Sequence, residues 1–291
     1  LLASPQAGQD QFGRPGASIE TAKAPAYAAR RAKLMDLHRD AIIIVPSQYK
    51  ARSGAMTDNL NFLYLTGLKE AASTLVLDPA GNPRETLFRR ASGGPRPRVV
   101  SGDGIGGPEA PVVAVAPRVQ PPAQDAPGPD KELVEKPDTQ LSSSLFGAIM
   151  AGRAKRVLLP FSDFDFLSRA FSGMNPLTQA EAVLNIDPAI AEMRLTKDAN
   201  EIAALREAID LTAEALNEAF RAAEPGMREA DLAAILRYAF DKRETEDSFL
   251  QAASGPNSTN VHFGATSRPL AAGDLVVFDV GAWIRGYTSD I

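Results

Sequence analysis

This 291-residue chain contains no cysteine, which rules out disulfide scaffolds, thiolate zinc sites and cysteine nucleophiles. It has only two histidines, His38 and His262, so a three-histidine metal site cannot be built from it. Any metal would be held mainly by oxygen. Aromatic residues are scarce at 7%, with a single tryptophan, and no apolar run approaches the roughly 18 residues that a membrane-spanning helix needs. Positive charge is not in excess. The formal net charge of −5 gives no basic footprint for nucleic acid, and we expect neither nucleic-acid nor membrane partners.

What is present is the composition of a globular protein, with 44% hydrophobic and 23% charged residues. The opening LLASPQA reads either as the tail of a secretory signal or as a disordered arm, so the compartment is open between cytoplasmic and secreted. Residues 1–23 are read as a flexible arm. An Ala/Leu/Arg pattern then predicts a helix over 24–39. The β-branched run at Ile42–Val45 predicts a buried strand, and further strands are expected at Asn61–Gly67, Ser73–Asp78 and Glu85–Arg90. His38 reads as a surface residue.

Ten of the 22 prolines fall between Gly93 and Asp138, a stretch read as a long surface excursion without continuous helix or strand. A helix near Leu141–Ala151 and a strand over Lys155–Phe161 complete a first α/β domain, 24–180. A second domain is expected over 190–291. Asp198 and Glu201 have the spacing of a capping box, and Ile202, Leu205, Ile209, Leu216 and Phe220 follow at helical intervals. A second helix is expected over Arg228–Lys242, followed by strand-like segments SFLQAASG, STNVHFG, DLVVFDVGAWI and GYTSDI.

The last two segments carry the chemistry. With Arg285-Gly286 as a two-residue turn, Ile284 faces Tyr287, Ala282 faces Ser289 and Gly281 faces Asp290. Asp279 lies eleven residues before Asp290 and opposes the position two beyond it, so the two carboxylates share a face as diagonal neighbours, roughly 7–8 Å apart at the backbone. Hairpin ends attract aspartate for ordinary reasons. A carboxylate directly after Val276-Val277-Phe278, however, is costly unless a cation or strong hydrogen bonds satisfy it. His262, between Val261 and Phe263, is read either as a satisfied turn residue or as an imidazole at the rim of a site.

These residues resemble a known family. GDLVVFDVGAWIRGYTSDI is similar to the metal-binding hairpin of the Xaa-Pro peptidases, the M24 metallopeptidases with a pita-bread fold. SGPNSTNVHFG resembles the histidine-bearing segment upstream of that hairpin, and EMRLTKDANEIAALREAIDLTAEAL the helix that opens the catalytic domain. TDNLNFLYLTGLKEAASTLVLD resembles part of the creatinase-like N-terminal domain. The four stretches occur in the family's order.

The resemblance implies a fold class: an α/β chain with a creatinase-like mixed-sheet N-terminal domain followed by the first half of a pita-bread α+β domain. It implies Asp279 and Asp290 as metal ligands, His262 as a catalytic residue contacting substrate or assisting proton movement, and two divalent ions, manganese by family habit, as cofactors. The implied activity is Xaa-Pro aminopeptidase on proline-containing peptides, in a homo-oligomer. Xaa-Pro dipeptidase, a metal-free creatinase-like hydrolase and an inactive binding module are the rivals. Family ligands beyond the S-D-I motif, one histidine and two glutamates, have no counterpart here, so an associated C-terminal fragment is expected to supply them. His262-Phe263, where the family often has His-Tyr, and the proline-rich insert are departures.

Overall fold

A computed structural model describes residues 19–50, 56–70, 72–89, 133–152, 155–161 and 180–291. The chain divides into two compact units, 1–187 and 188–291.

The first unit is organised by β1 (Ala41–Pro46), whose six residues AIIIVP are all buried. A strand buried on both faces has no need of polar alternation, which is why its sequence reads as a continuous apolar run. Around it lies a six-stranded mixed sheet. The order is β6 (Val134–Pro137), β5 (Glu85–Arg89), β4 (Ser73–Leu77), β1, β7 (Arg156–Leu159) and β8 (Ala182–Asn185). β1 and β4 are antiparallel, as are β4 and β5; β1/β7, β7/β8 and β5/β6 run parallel. Ile42, Ile44, Val76, Phe88, Val157 and Leu159 pack one face of the sheet against Leu141, Leu145, Ala148 and Ile149 of α4 (Leu141–Met150). A separate two-stranded ribbon joins β2 (Gln48–Lys50) to β3 (Met56–Asp58).

Three helices accompany this sheet: α1 (Ile19–Lys23), α2 (Pro25–Leu37) and α3 (Leu60–Thr66). At their junction Arg31, 1% exposed, donates to Glu85 Oε2 at 2.9 Å and to the carbonyls of Ala22 and Leu65 at 2.8 and 2.9 Å. One guanidinium therefore ties α1, α2, α3 and β5 together, and every one of its named partners is an acceptor that burial would otherwise strand.

Several expectations are corrected here. Asn61–Gly67 is a helix and not a strand: the Asn59 side chain accepts from Asn61 N–H, and Gly67 closes the C-terminus at φ +69°. These end-caps outweigh the β-propensity of Phe62 and Tyr64. Residues 19–23 are helical, with Ala22 buried, where an arm was expected. The expected excursion ends in β6, an edge strand, where Pro137 at the strand's end is tolerated; its residues 93–132 lie outside the described residues. His38 is half-buried at the end of α2, and burial, helped by Arg156, lowers its pKa.

In the second unit, α5 (Asp187–Leu195) leads to α6 (Ala199–Ala222), α7 (Glu229–Asp241) and a three-stranded antiparallel sheet ordered β11 (Tyr287–Thr288), β10 (Val276–Ile284), β9 (Glu246–Ser254). The Asp198–Glu201 capping box forms as expected. The buried face of α6 shares Leu216 alone with the apolar residues singled out by spacing. It is lined by Ala204, Ala208, Leu211, Thr212, Ala215, Leu216 and Ala219, while Ile202, Ile209 and Phe220 are exposed. Small side chains let the helix sit close to β10, and close approach rather than bulk selects this face.

Candidate functional site

The terminal ribbon turns at Arg285 (φ +47°) and Gly286 (φ +86°), the two successive positive φ values of a tight hairpin that follows strand twist. Ile284 pairs with Tyr287 and Trp283 with Thr288. The register continues past β11: Ser289 N–H donates to Ala282 O at 3.2 Å, and Val280 and Ile291 exchange N–H···O bonds at 3.0 and 3.2 Å. Asp290 therefore stands opposite Gly281, and Asp279 lies one side-chain period further along. Alternation puts both on the same face. That face is the one turned away from the helices, because Val276, Phe278, Val280 and Ala282 fill the core beneath α6 and α7.

Two devices hold the ribbon in this register. A β-bulge interrupts the β9–β10 ladder between Gly281 and Ala282. The Ala282 N–H instead donates to Ser289 Oγ at 2.9 Å and Thr212 Oγ1 at 3.1 Å, and these two buried hydroxyls lie 2.7 Å apart. Gly281 permits the approach. A Cβ there would fall 2.2 Å from the Ser289 carbonyl oxygen and 2.6 Å from Ser248 Oγ.

Asp279 is half-buried and Asp290 exposed. Among the described residues, neither carboxylate has a hydrogen-bond or ion-pair partner, although Asp279 follows an apolar run. Unpaired carboxylate oxygens on one face suit a hard divalent cation. They do not close a coordination shell: among the described residues no group of three or more His, Cys, Asp or Glu could hold a metal ion.

His262 is exposed and sits at φ +56° in the connection between β9 and β10. STNVHFG is thus no strand. Gly255–Thr259 forms a 3₁₀ turn, and the residues after it up to Gly264 form no strand. The loop is pinned at both ends by Glu229, a fully buried residue that opens α7. Its Oε1 accepts from Ser254 N–H (2.7 Å), Ser254 Oγ (2.8 Å) and Asn257 Nδ2 (3.1 Å). Its Oε2 accepts from Thr266 N–H (3.0 Å), Thr266 Oγ1 (2.5 Å) and again Asn257 Nδ2 (3.2 Å). Burial by itself raises the Glu229 pKa, but the donors from Thr266, Ser254 and Asn257 outweigh it and lower the value to about 2. Arg268 adds an ion pair to Asp274 at 2.6 Å. Asp274 is held below the usual carboxylate range by that hydrogen bond and by the Ala271 N–H.

Sequence reasoning missed Glu229, Thr212 and Gln251, because their roles depend on elements that meet only in the fold. One signal was available for Glu229. Ser254, Asn257 and Thr266 crowd side-chain donors into a short stretch, and such donors require an acceptor.

Residues 27–96 match the family model "Aminopeptidase P, N-terminal domain", and residues 203–291 match "Metallopeptidase family M24". A 117-residue stretch is 32% identical to Xaa-Pro aminopeptidase of Escherichia coli, covering 40% of this chain and 26% of that protein. A 108-residue stretch is 32% identical to Xaa-Pro dipeptidase of Pyrococcus furiosus, covering 36% of this chain and 31% of that protein. Among solved structures, aminopeptidase PepP of Pseudomonas aeruginosa superposes with a TM-score of 0.68 at 24% identity, over 91% of this chain and 60% of that one. The chain thus spans less than two thirds of the length of these relatives. It joins an aminopeptidase P N-terminal domain to part of an M24 metallopeptidase domain, and belongs to the aminopeptidase P family.

Proposed function

We propose that this chain supplies one side of the active centre of a metal-dependent Xaa-Pro aminopeptidase, which releases the N-terminal residue of peptides with proline in second place. The observation that carries the reading is the hairpin register, with Asp279 and Asp290 side by side on the face turned from the core and neither carboxylate partnered. Asp279 and Asp290 would hold divalent metal, manganese by family habit, and donors outside these 291 residues would complete the shell. Bound divalent ions in such a centre lower the pKa of a water and polarise a carbonyl. His262, exposed on its loop, would face the peptide and hold or pass a proton near the scissile bond. The bond before proline is a tertiary amide, so recognition there cannot use an N–H.

The test compares the 291-residue chain with the same chain extended by the reading frame that follows Ile291. Manganese binding is followed by calorimetry, and hydrolysis is followed on Xaa-Pro and Xaa-Pro-Xaa peptides. The extended protein is expected to bind manganese and cleave the tripeptide, and to lose at least about a hundredfold in metal affinity on Asp279→Asn or Asp290→Asn. The short chain is expected to bind weakly and turn over nothing. Cleavage of dipeptides alone would make the protein a dipeptidase, and activity that survives exhaustive chelation would refute the metal reading.

A further inference from the structure

Gln251 lies directly opposite Asp279 in the β9–β10 ladder, so the two side chains stand on the same face of the sheet. Gln251 is 7% exposed. Its carboxamide does two things at once: Nε2 donates to the Asn260 carbonyl at 3.2 Å, and Oε1 accepts from the Phe263 N–H at 3.1 Å. Asn260 and Phe263 are the first and last residues of the four-residue turn that carries His262. In a closed β-turn those two groups bond to each other. Here the amide of Gln251 also bridges the two groups, meeting the acceptor at one end of the turn and the donor at the other. His262 sits inside this turn at φ +56°.

We propose that Gln251 is a positioning residue: its carboxamide sets the turn presenting His262 and registers that turn to the ladder position of Asp279. The inference rests on the proposed role of His262. Two features of the site support it. The Glu229 clamp fixes the loop only at Ser254, Asn257 and Thr266, outside the Asn260–Phe263 turn, so another group must define the turn itself. Moreover, at neutral pH an amide offers the donor and the acceptor side by side that this arrangement needs. A carboxylate would satisfy Phe263 N–H and repel Asn260 O, and a thioether would satisfy neither.

The test uses the 291-residue chain and two substitutions, Gln251→Met and Gln251→Glu. Amide hydrogen exchange is measured by NMR, together with the His262 imidazole resonance, which is assignable because His38 is the one other histidine. We expect Phe263 N–H exchange to accelerate about tenfold in Gln251→Met, with the His262 resonance displaced and β9 and β10 still protected. Gln251→Glu should behave likewise at neutral pH and regain protection in acid, where a protonated carboxyl again provides one donor and one acceptor. Unchanged exchange at Phe263 would overturn the proposal. So would acceleration spread evenly over Ala252–Ser254 and Val276–Val280, which would make Gln251 a residue of general sheet stability. In the extended enzyme, Gln251→Met should lower kcat more than it raises KM and leave manganese affinity unchanged; an unaltered kcat would overturn the positioning role. If the wild-type enzyme cleaves no Xaa-Pro peptide, the proposed function fails while the exchange data still judge the carboxamide.

Discussion

The hydroxyls of Thr212 and Ser289 lie 2.7 Å apart, and both accept from the Ala282 N–H that the β-bulge leaves without a ladder partner. One residue is on a helix and the other directly precedes Asp290, so the core of α6 fixes where that carboxylate stands. Ser289→Ala or Thr212→Val should each cost about 1–2 kcal/mol, read by urea unfolding. The double variant should cost more than their sum, because either hydroxyl alone still accepts from the Ala282 N–H, whereas removing both strands that buried donor.

Glu229 makes the loop's attachment sensitive to acid. Its folded pKa of about 2 lies below the ordinary value of 4.5, so the folded state binds this proton less readily than the unfolded one. The carboxylate therefore contributes fully above the ordinary pKa, and its contribution is lost as pH falls from there through about 2. Glu229→Gln places an NH₂ among groups that are already donors, and should lower stability at pH 7 by about 3 kcal/mol. It should also flatten the pH dependence of unfolding between pH 4.5 and 2, measured by denaturation at several pH values.

In the first unit, Arg31→Met would leave Glu85 buried without its cation. We expect a loss of about 3–5 kcal/mol by chemical denaturation. The pair Arg31→Met with Glu85→Leu should recover part of it, since the uncompensated charge is then gone, while the carbonyls of Ala22 and Leu65 still lack a donor.

Gly281→Ala forces the Ser289 carbonyl away from β10, since no shift of a flexible side chain can relieve a 2.2 Å contact with backbone. Stability should fall by about 3 kcal/mol. Amide exchange at Ser289, Ile291 and Val280 should rise well above that at Val277 and Asp279, which face β9 in the ladder.

The hairpin and its register were legible in the sequence because a two-residue turn and a side-chain period of two leave one solution. The capping box of α6 was legible for a similar reason, since Asp198 and Glu201 satisfy each other's turn locally. Asn61–Gly67 was misread because its deciding interaction, the Asn59 cap, lies just outside the apolar run. The buried face of α6 was not legible from spacing, which marks large apolar residues, whereas four alanines line that face. Glu229 and Gln251 could not be read locally: each answers groups brought to it by a loop whose path only the fold defines.

The Tyr287 hydroxyl donates to Glu201, the same carboxylate that caps α6, across 86 residues of chain. On the ribosome the start of that helix emerges long before its phenol, so Glu201, 3% exposed once folded, waits in solvent until the ribbon's tip has been synthesised. A nascent chain of this unit therefore lacks that contact until Tyr287 has been made, and a stall before it would leave the helix without its final latch.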